Sequence, residues 1–272
     1  EKYALKQKNP SFRTLSHQQA LSDLKLVQGD KLTNAAVLLL GKEDVIDRIF
    51  PQAKVSLEFR NIETQIPFDS RKIFGKPFYK LIDELWETIN HRNGIVPIQE
   101  GAYIGLTGIP FFNEEVIREA INNAFAHRDY RRASEIVIKM YPHRIDIINA
   151  GGFPQGVTLD NLLTVSSTPR NRLLADVLSK TGIVERSGQG VDKIFFHTLA
   201  EGKPEPDYSR TDDFSVTAIL YSYVKEMGFA LFIQTVQKEL QAKQAELMLP
   251  VQQRLLDAIK KVATAMMEQG CF

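Results

Sequence analysis

Glu119-Ala120-Ile121-Asn122-Asn123-Ala124 decides how the rest of this chain is read. Glu119 and Asn123 stand four residues apart, so on a helix their side chains share one face. A carboxylate beside a carboxamide can polarise a water molecule. The carboxamide oxygen also suits magnesium, a hard cation that takes few protein ligands. The helix is legible on both sides of the pair. Asn113 is a cap candidate, and Glu114 and Glu115 follow where the helix dipole favours acids. Val116, Ile117, Ala120, Ile121, Ala124 and Phe125 then recur at helical spacing. Taken alone, the pair also reads as a solvated Glu and an Asn bonded to a neighbouring loop. The residues downstream decide between the two.

Glu135–Tyr141 (EIVIKMY) and Arg144–Ile148 (RIDII) alternate as strands do, with Pro142-His143 as a tight connection. At the strand end comes Asn149-Ala150-Gly151-Gly152-Phe153-Pro154. Its glycines permit close backbone approach to a ligand, and Asn149 can both donate to a ring nitrogen and accept from an exocyclic amine. A polar stretch to Asn171 leads to an apolar helix carrying Leu173, Leu174, Val177 and Leu178. Ser187-Gly188-Gln189-Gly190 then opens onto a helix at Val191–Leu199. Such a turn can aim N–H groups and the positive helix end at phosphate. Phe214–Tyr221 (FSVTAILY) reads as a closing strand.

Upstream, His17–Leu24 has helical spacing, and the apolar run Ala35–Leu40 is short enough to be a helix or a buried strand. Lys54–Arg60 (KVSLEFR) alternates as a strand, Phe78–Asn90 is helical, and Ile95–Leu106 looks extended. Downstream, Phe229, Phe232, Ile233, Val236 and Leu240 form one helical stripe. Leu255, Ile259, Val262 and Met266 form a second beyond Pro250. The two predict a helical hairpin, packed on the body or shared with a second protomer.

In combination these segments resemble the GHKL (Bergerat-fold) ATP-binding family, which includes gyrase B, histidine kinases and MutL. Within it, the wording is similar to the ATPase-like domain of RecG-related DNA-binding or transcriptional regulators. The likeness rests on Arg118–Ala124, His127-Arg128-Asp129-Tyr130, Ile148–Pro154, Pro169-Arg170-Asn171 and Val184–Gly190. Lys31–Gly41 fits the segment that precedes this domain in those proteins. The fold implied is α+β: a two-layer α/β sandwich of GHKL type at residues 109–222. A smaller α/β lead-in domain at 1–108 precedes it, and a helical tail at 223–272 follows.

By motif, the resemblance implies Glu119 as general base, Asn123 as magnesium ligand and ATP with magnesium as cofactors. It implies Asn149, Gly151 and Gly152 around the adenine, with Gly188 and Gly190 at the phosphates. His127, one turn beyond Asn123, would share the nucleotide face, and Arg128 or Arg170 would meet a phosphate. A structural network among His127, Arg128 and Asp129 is the competing reading. The sequence departs from the family where Asn149 replaces the more usual Asp, and where the glycine box is short. Gln155–Arg170 would be a lid. Such proteins carry a Schlafen/AlbA-like DNA-binding domain first, so DNA would be met only through a segment upstream of Glu1. A homodimer through the tail is expected. The alternative is a degenerate interaction or dimerisation module that keeps the fold without nucleotide.

Composition sets outer bounds. The 272 residues carry 34 Lys+Arg against 33 Asp+Glu, 43% hydrophobic and 25% charged residues. That apolar fraction builds a sizeable core, and the length suggests more than one part. A net charge of +1 gives no strong field for nucleic acid, and no basic stripe interleaved with aromatics is visible. No apolar run approaches the ~18 residues of a membrane span. Cys271 stands alone, which excludes a disulfide framework and a cysteine zinc site and points to the cytoplasm. The start at Glu1, without a signal-peptide pattern, is expected of a piece of a longer protein.

Two imitations fail on detail. His127-Arg128-Asp129 resembles a kinase catalytic loop, but Ser134 stands where that loop wants Asn, and Asp213-Phe214 continues with Ser215. No Gly-x4-Gly-Lys-Ser/Thr occurs, so these residues do not make a P-loop helicase motor.

Overall fold

The computed structural model describes residues 14–100, 103–165, 169–183 and 190–244. The chain begins with α1 (His17–Asp23), a short hairpin of β1 (Val27–Gln28) and β2 (Lys31–Leu32), α2 (Asn34–Leu40) and α3 (Glu43–Ile49). Next come β3 (Val55–Phe59), β4 (Ser70–Phe74), α4 (Phe78–Asn90) and a hairpin of β5 (Ile95–Glu100) and β6 (Tyr103–Pro110). They are followed by α5 (Glu114–His127), β7 (Ile136–Met140), β8 (Arg144–Ala150), α6 (Arg172–Lys180) and α7 (Gly190–Ala200). The described chain closes with β9 (Ser215–Tyr221) and α8 (Met227–Gln244). The fold is thus mixed α+β, organised on one mixed sheet of order β4-β3-β7-β8-β9. Among the described residues no helix is long and apolar enough to cross a membrane.

Sheet register explains the core. Leu57, Ile138, Ile147 and Ala218 are aligned across β3, β7, β8 and β9. Because side chains alternate along a strand, this row shares its face with Val55, Phe59, Ile136, Met140, Ile145 and Leu220. These strand residues, Ala218 aside, join Phe78 and Leu85 of α4, Ile117 and Ile121 of α5, and Val177 of α6 in one apolar core. Phe78 stacks on Phe125 with ring centroids 3.9 Å apart. The β3–β7 pairing is parallel, so lead-in strands β3 and β4 belong to the same sheet as the strands that follow α5.

Several elements take the form their residues predict. Asn113 caps α5, its Oδ1 accepting from Glu115 N–H at 2.8 Å. The open choice at Ala35–Leu40 resolves as helix, since Thr33 Oγ1 accepts from Ala36 N–H at 3.2 Å and starts the turn. Ile95–Leu106 is extended but folds back as the β5–β6 hairpin. Strand β3 is buried on both faces, because its polar residues are paired: Arg71 Nε donates to Ser56 Oγ at 2.6 Å, and Glu58 meets Arg60 at 2.8 Å. The first tail stripe lies on α8, where Ala230 packs with Ile98 and Ile109 in a second small core. The second stripe, at 255–266, lies outside the described residues.

A buried lysine fixes how α5 meets α7. Lys203 Nζ donates to the carbonyls of Pro110 at 2.7 Å and Phe111 at 3.0 Å, and to Glu201 Oε2 at 2.6 Å. Glu201 Oε1 in turn accepts from Asn113 Nδ2 at 2.6 Å, which joins the start of α5 to the end of α7. Burial pushes the Lys203 ammonium below its ordinary value, while Glu201 offsets part of that.

Candidate functional site

A cleft of about 610 Å³ opens between α5, the covered face of β8 and β9, and the first residues of α7. Glu119, Asn122, Asn123 and His127 line it from α5, and Asn149, Gly152 and Gly190 from elsewhere in the chain. The structure thus brings six sequence-predicted residues together: Glu119, Asn123, His127, Asn149, Gly152 and Gly190. Gly188 lies outside the described residues.

Helix α5 supplies its polar side chains at intervals that follow from its pitch. Glu119, Asn123 and His127 are spaced by four, one turn apart on one face. Glu119 is only 4% exposed and Asn122 2%. Gly190 is placed directly against this face. A Cβ on it would lie 2.3 Å from Glu119 Oε1 and 3.1 Å from both Asn123 amide atoms. Any side chain there would fill the space between α7 and the carboxylate. Burial, and then the nearby Arg170 charge, hold His127 below its usual imidazole value, which favours its neutral form near pH 7.

Sheet strands β8 and β9 supply the floor. Ile147 pairs with Ala218 and Asn149 with Val216, and all four line the cleft. Asn149 is 4% exposed, yet its Oδ1 has no hydrogen-bond partner among the described residues. The same holds for Asn122 Oδ1 and Asn123 Nδ2. Three carboxamides with unspent atoms therefore converge on one cavity. Each such atom costs about 1–3 kcal/mol when buried without a partner, so a ligand that pairs with them would offset that cost.

The glycine turn after β8 divides into two roles. Gly152 lines the cleft. Gly151 is not among the lining residues; it holds φ +89°, with Asp129 Cβ and Arg170 Cζ packed where a side chain would be. Arg170 is likewise turned away from the main cleft. Its Nη2 donates to Gly152 O at 2.7 Å and its Nη1 lies 3.7 Å from Asp129. With Arg132, Asp212 and Asp213 it borders a separate hollow of about 390 Å³ behind the turn.

Arg128 does not reach a phosphate position. It is 1% exposed and donates to the carbonyls of Gln52, Lys54 and Ser134. Arg128 and Asp129 are both held structurally, but by separate partners rather than by each other or by His127. Asp129 Oδ1 accepts from Arg131 Nε at 2.9 Å and Oδ2 from Arg131 Nη2 at 3.0 Å. These bonds, with the Arg131 N–H and the Arg170 charge, hold the Asp129 carboxyl down to about 2.

Beyond the residues singled out for chemistry, the cleft is lined mostly by apolar or aromatic side chains. Val157, Leu162, Leu163, Val165 and Pro169 wall the cavity from the segment between the glycine turn and α6. Tyr208 reaches it from an irregular loop, held by the Asp207–Ile219 bridge and stacked on Phe195 at 6.3 Å. Burial, and then Glu119, push the Tyr208 hydroxyl well above its ordinary value. No periodicity marks Tyr208 in the sequence, because the bridge that places it is a long-range contact. Among the described residues no three His, Cys, Asp or Glu side chains are arranged to hold a metal.

Comparison with known proteins agrees with part of this reading. Residues 133–220 match a family described as "Putative ATP-dependent DNA helicase recG C-terminal", and residues 1–56 match "Domain of unknown function (DUF8451)". A RecG-related ATPase-like domain is thus supported over β7 to β9. Asn149, Gly151, Gly152, Arg170, Gly188 and Gly190 fall inside that match; Glu119, Asn123 and His127 precede it. The crystal structure of the DIP2311 protein from Corynebacterium diphtheriae is similar in fold, with a TM-score of 0.70 and 22% identity over 84% of this chain. This chain spans 46% of that one, and at such identity the likeness concerns the fold alone. No curated protein matches the chain.

Proposed function

We propose that the cleft binds a nucleotide, ATP with magnesium, and that its state switches the protein's conformation. The observation that carries this reading is the convergence of unspent carboxamide atoms on Asn122, Asn123 and Asn149 against a Gly190 that no Cβ could replace without displacing Glu119 or Asn123. Asn123 Oδ1 suits magnesium, which needs only one or two protein ligands beside phosphate and water. Bound magnesium would neutralise phosphate charge. Glu119, buried beside it, would accept a proton from water in a slow hydrolysis. Asn149 reads the base, His127 shares the face of Asn123, and Gly188 and Gly190 would meet the phosphates. Arg170 serves the site from outside, tying the end of the Gln155–Arg170 lid to Gly152 O.

In this reading residues 109–222 hold the nucleotide, residues 1–108 lead into them, and the 223–272 tail pairs two protomers in a GHKL-type arrangement. The whole acts as part of a cytoplasmic transcriptional regulator that reaches DNA through an upstream Schlafen/AlbA-like domain. A degenerate interaction module is favoured by one observation: the described residues lining the cleft include no Lys or Arg. Phosphate would then depend on the glycine turn alone.

Calorimetry with Mg-ATP on the purified chain separates the two. Saturable heat with a rise in melting temperature supports the site. Absence of both at millimolar nucleotide overturns it in favour of the interaction module. Where binding is seen, Glu119→Ala should retain it and abolish turnover; unchanged turnover removes Glu119 as base.

A further inference from the structure

The floor of the cleft carries a specificity consequence that rests on the nucleotide reading. Its four sheet residues are arranged as two cross-strand pairs, Ile147 with Ala218 and Asn149 with Val216. Three are apolar and one is a carboxamide, so this flat surface offers a heterocycle apolar contact and a single donor–acceptor edge.

Other asparagines in the protein show what a structurally committed carboxamide looks like. Asn93 donates to Phe112 O and accepts from Phe112 N–H, both at 2.9 Å. Asn171 Nδ2 donates to the carbonyls of Ala126 at 3.0 Å and Arg128 at 2.7 Å. Asn161 donates to Gly156 O at 2.9 Å and accepts from Thr158 N–H at 2.8 Å. In each, backbone partners dictate which end of the amide is oxygen and which is nitrogen. Asn149 Oδ1 has no such partner among the described residues. Nothing described there fixes the amide in one orientation.

We infer that Asn149 makes the site tolerant of both 6-amino and 6-oxo purine nucleotides. Adenine presents a donor at the 6-amino group beside an acceptor at N1. Hypoxanthine presents the reverse, an acceptor at O6 beside a donor at N1–H. A carboxamide carries one acceptor and one donor edge, so a half-turn about its terminal bond matches it to either base. An amide pinned by its neighbours would reject the mismatched base, because rotation would leave the pinning groups unpaired. Here rotation breaks no described hydrogen bond, so the two bases bind with similar affinity.

The test compares ATP and inosine triphosphate, each with magnesium, by calorimetry on the wild-type chain; they differ only at C6 and N1. The expected result is dissociation constants within roughly tenfold of each other. Asn149→Leu, close in volume and checked for folding by melting, should weaken both by a similar factor; Asn149→Ala serves if the leucine variant does not fold. ATP binding with inosine triphosphate at least roughly a hundredfold weaker overturns the inference and leaves the nucleotide site standing. Loss of only one nucleotide in the Asn149 variants removes Asn149 as the common reader. Binding of neither by the wild type overturns the nucleotide reading itself.

Discussion

Gly190 faces Glu119 so closely that a methyl group on its Cα would sit 2.3 Å from the carboxylate Oε1. The obstructing atom is the end of a side chain, so the clash is relieved by moving Glu119 rather than by breaking the fold. Gly190→Ala should therefore lower melting temperature modestly, in line with an overpacking cost of about 1–3 kcal/mol. It should weaken Mg-ATP binding by more than tenfold. Calorimetry beside a thermal melt checks both; an alanine variant that binds normally would show that the contact does not shape the cleft.

Arg128 predicts the opposite balance. Its guanidinium satisfies three backbone carbonyls in a site where the side chain is almost wholly enclosed. Arg128→Met strands those carbonyls and should cost several kcal/mol, since each buried acceptor left without a partner costs about 1–3 kcal/mol. Arg128→Lys should not rescue it, since a single ammonium cannot span the planar fork. Urea denaturation gives the number.

For Asp129 the pH window follows from its depressed pKa. The unfolded carboxyl titrates near 3.9, the folded one near 2. The folded state therefore binds the proton less readily, and the stabilisation is fully present above about pH 4 and is lost as pH falls toward 2. The stability gap between wild type and Asp129→Asn should be widest at pH 5 and close steadily below 4. A gap independent of pH would mean that the Arg131 and Arg170 contacts hold the neutral group equally well.

His127 makes a second window. Its folded-state value is lowered, by burial first and by Arg170 second. Below the ordinary value near 6.5 the unfolded chain takes up a proton that the folded chain resists, so stability falls as pH drops through that range. His127→Gln should flatten the slope between pH 7.5 and 5.5. In Arg170→Ala the imidazole resonance, followed by NMR, should titrate at higher pH than in wild type.

Much of the cleft is legible because helical pitch and strand alternation are local rules. The spacing of Glu119, Asn123 and His127, the cap at Asn113 and the strand that carries Asn149 near its end need no tertiary knowledge. What escapes are contacts made across the chain. Arg128 and Arg170 look equally available in sequence, yet one is consumed by carbonyls near residue 52 and the other by Gly152 O. Strand β4 gives no signal because four of its five residues are exposed at a sheet edge, where no apolar face is needed.

The parallel seam between β3 and β7 has a practical reach beyond the site. Val55 to Phe59 cover the N–H and C=O row of Ile136 to Met140 residue for residue. A fragment cut to begin at residue 109 would uncover that row on a strand reading Ile-Val-Ile-Lys-Met. Such an edge is a template for pairing with its own copies. Excised this way, the piece that matches the ATPase-like family would be prone to polymerise, because the partners that cover its edge, such as Val55 opposite Ile136, stand 81 positions upstream and would be lost.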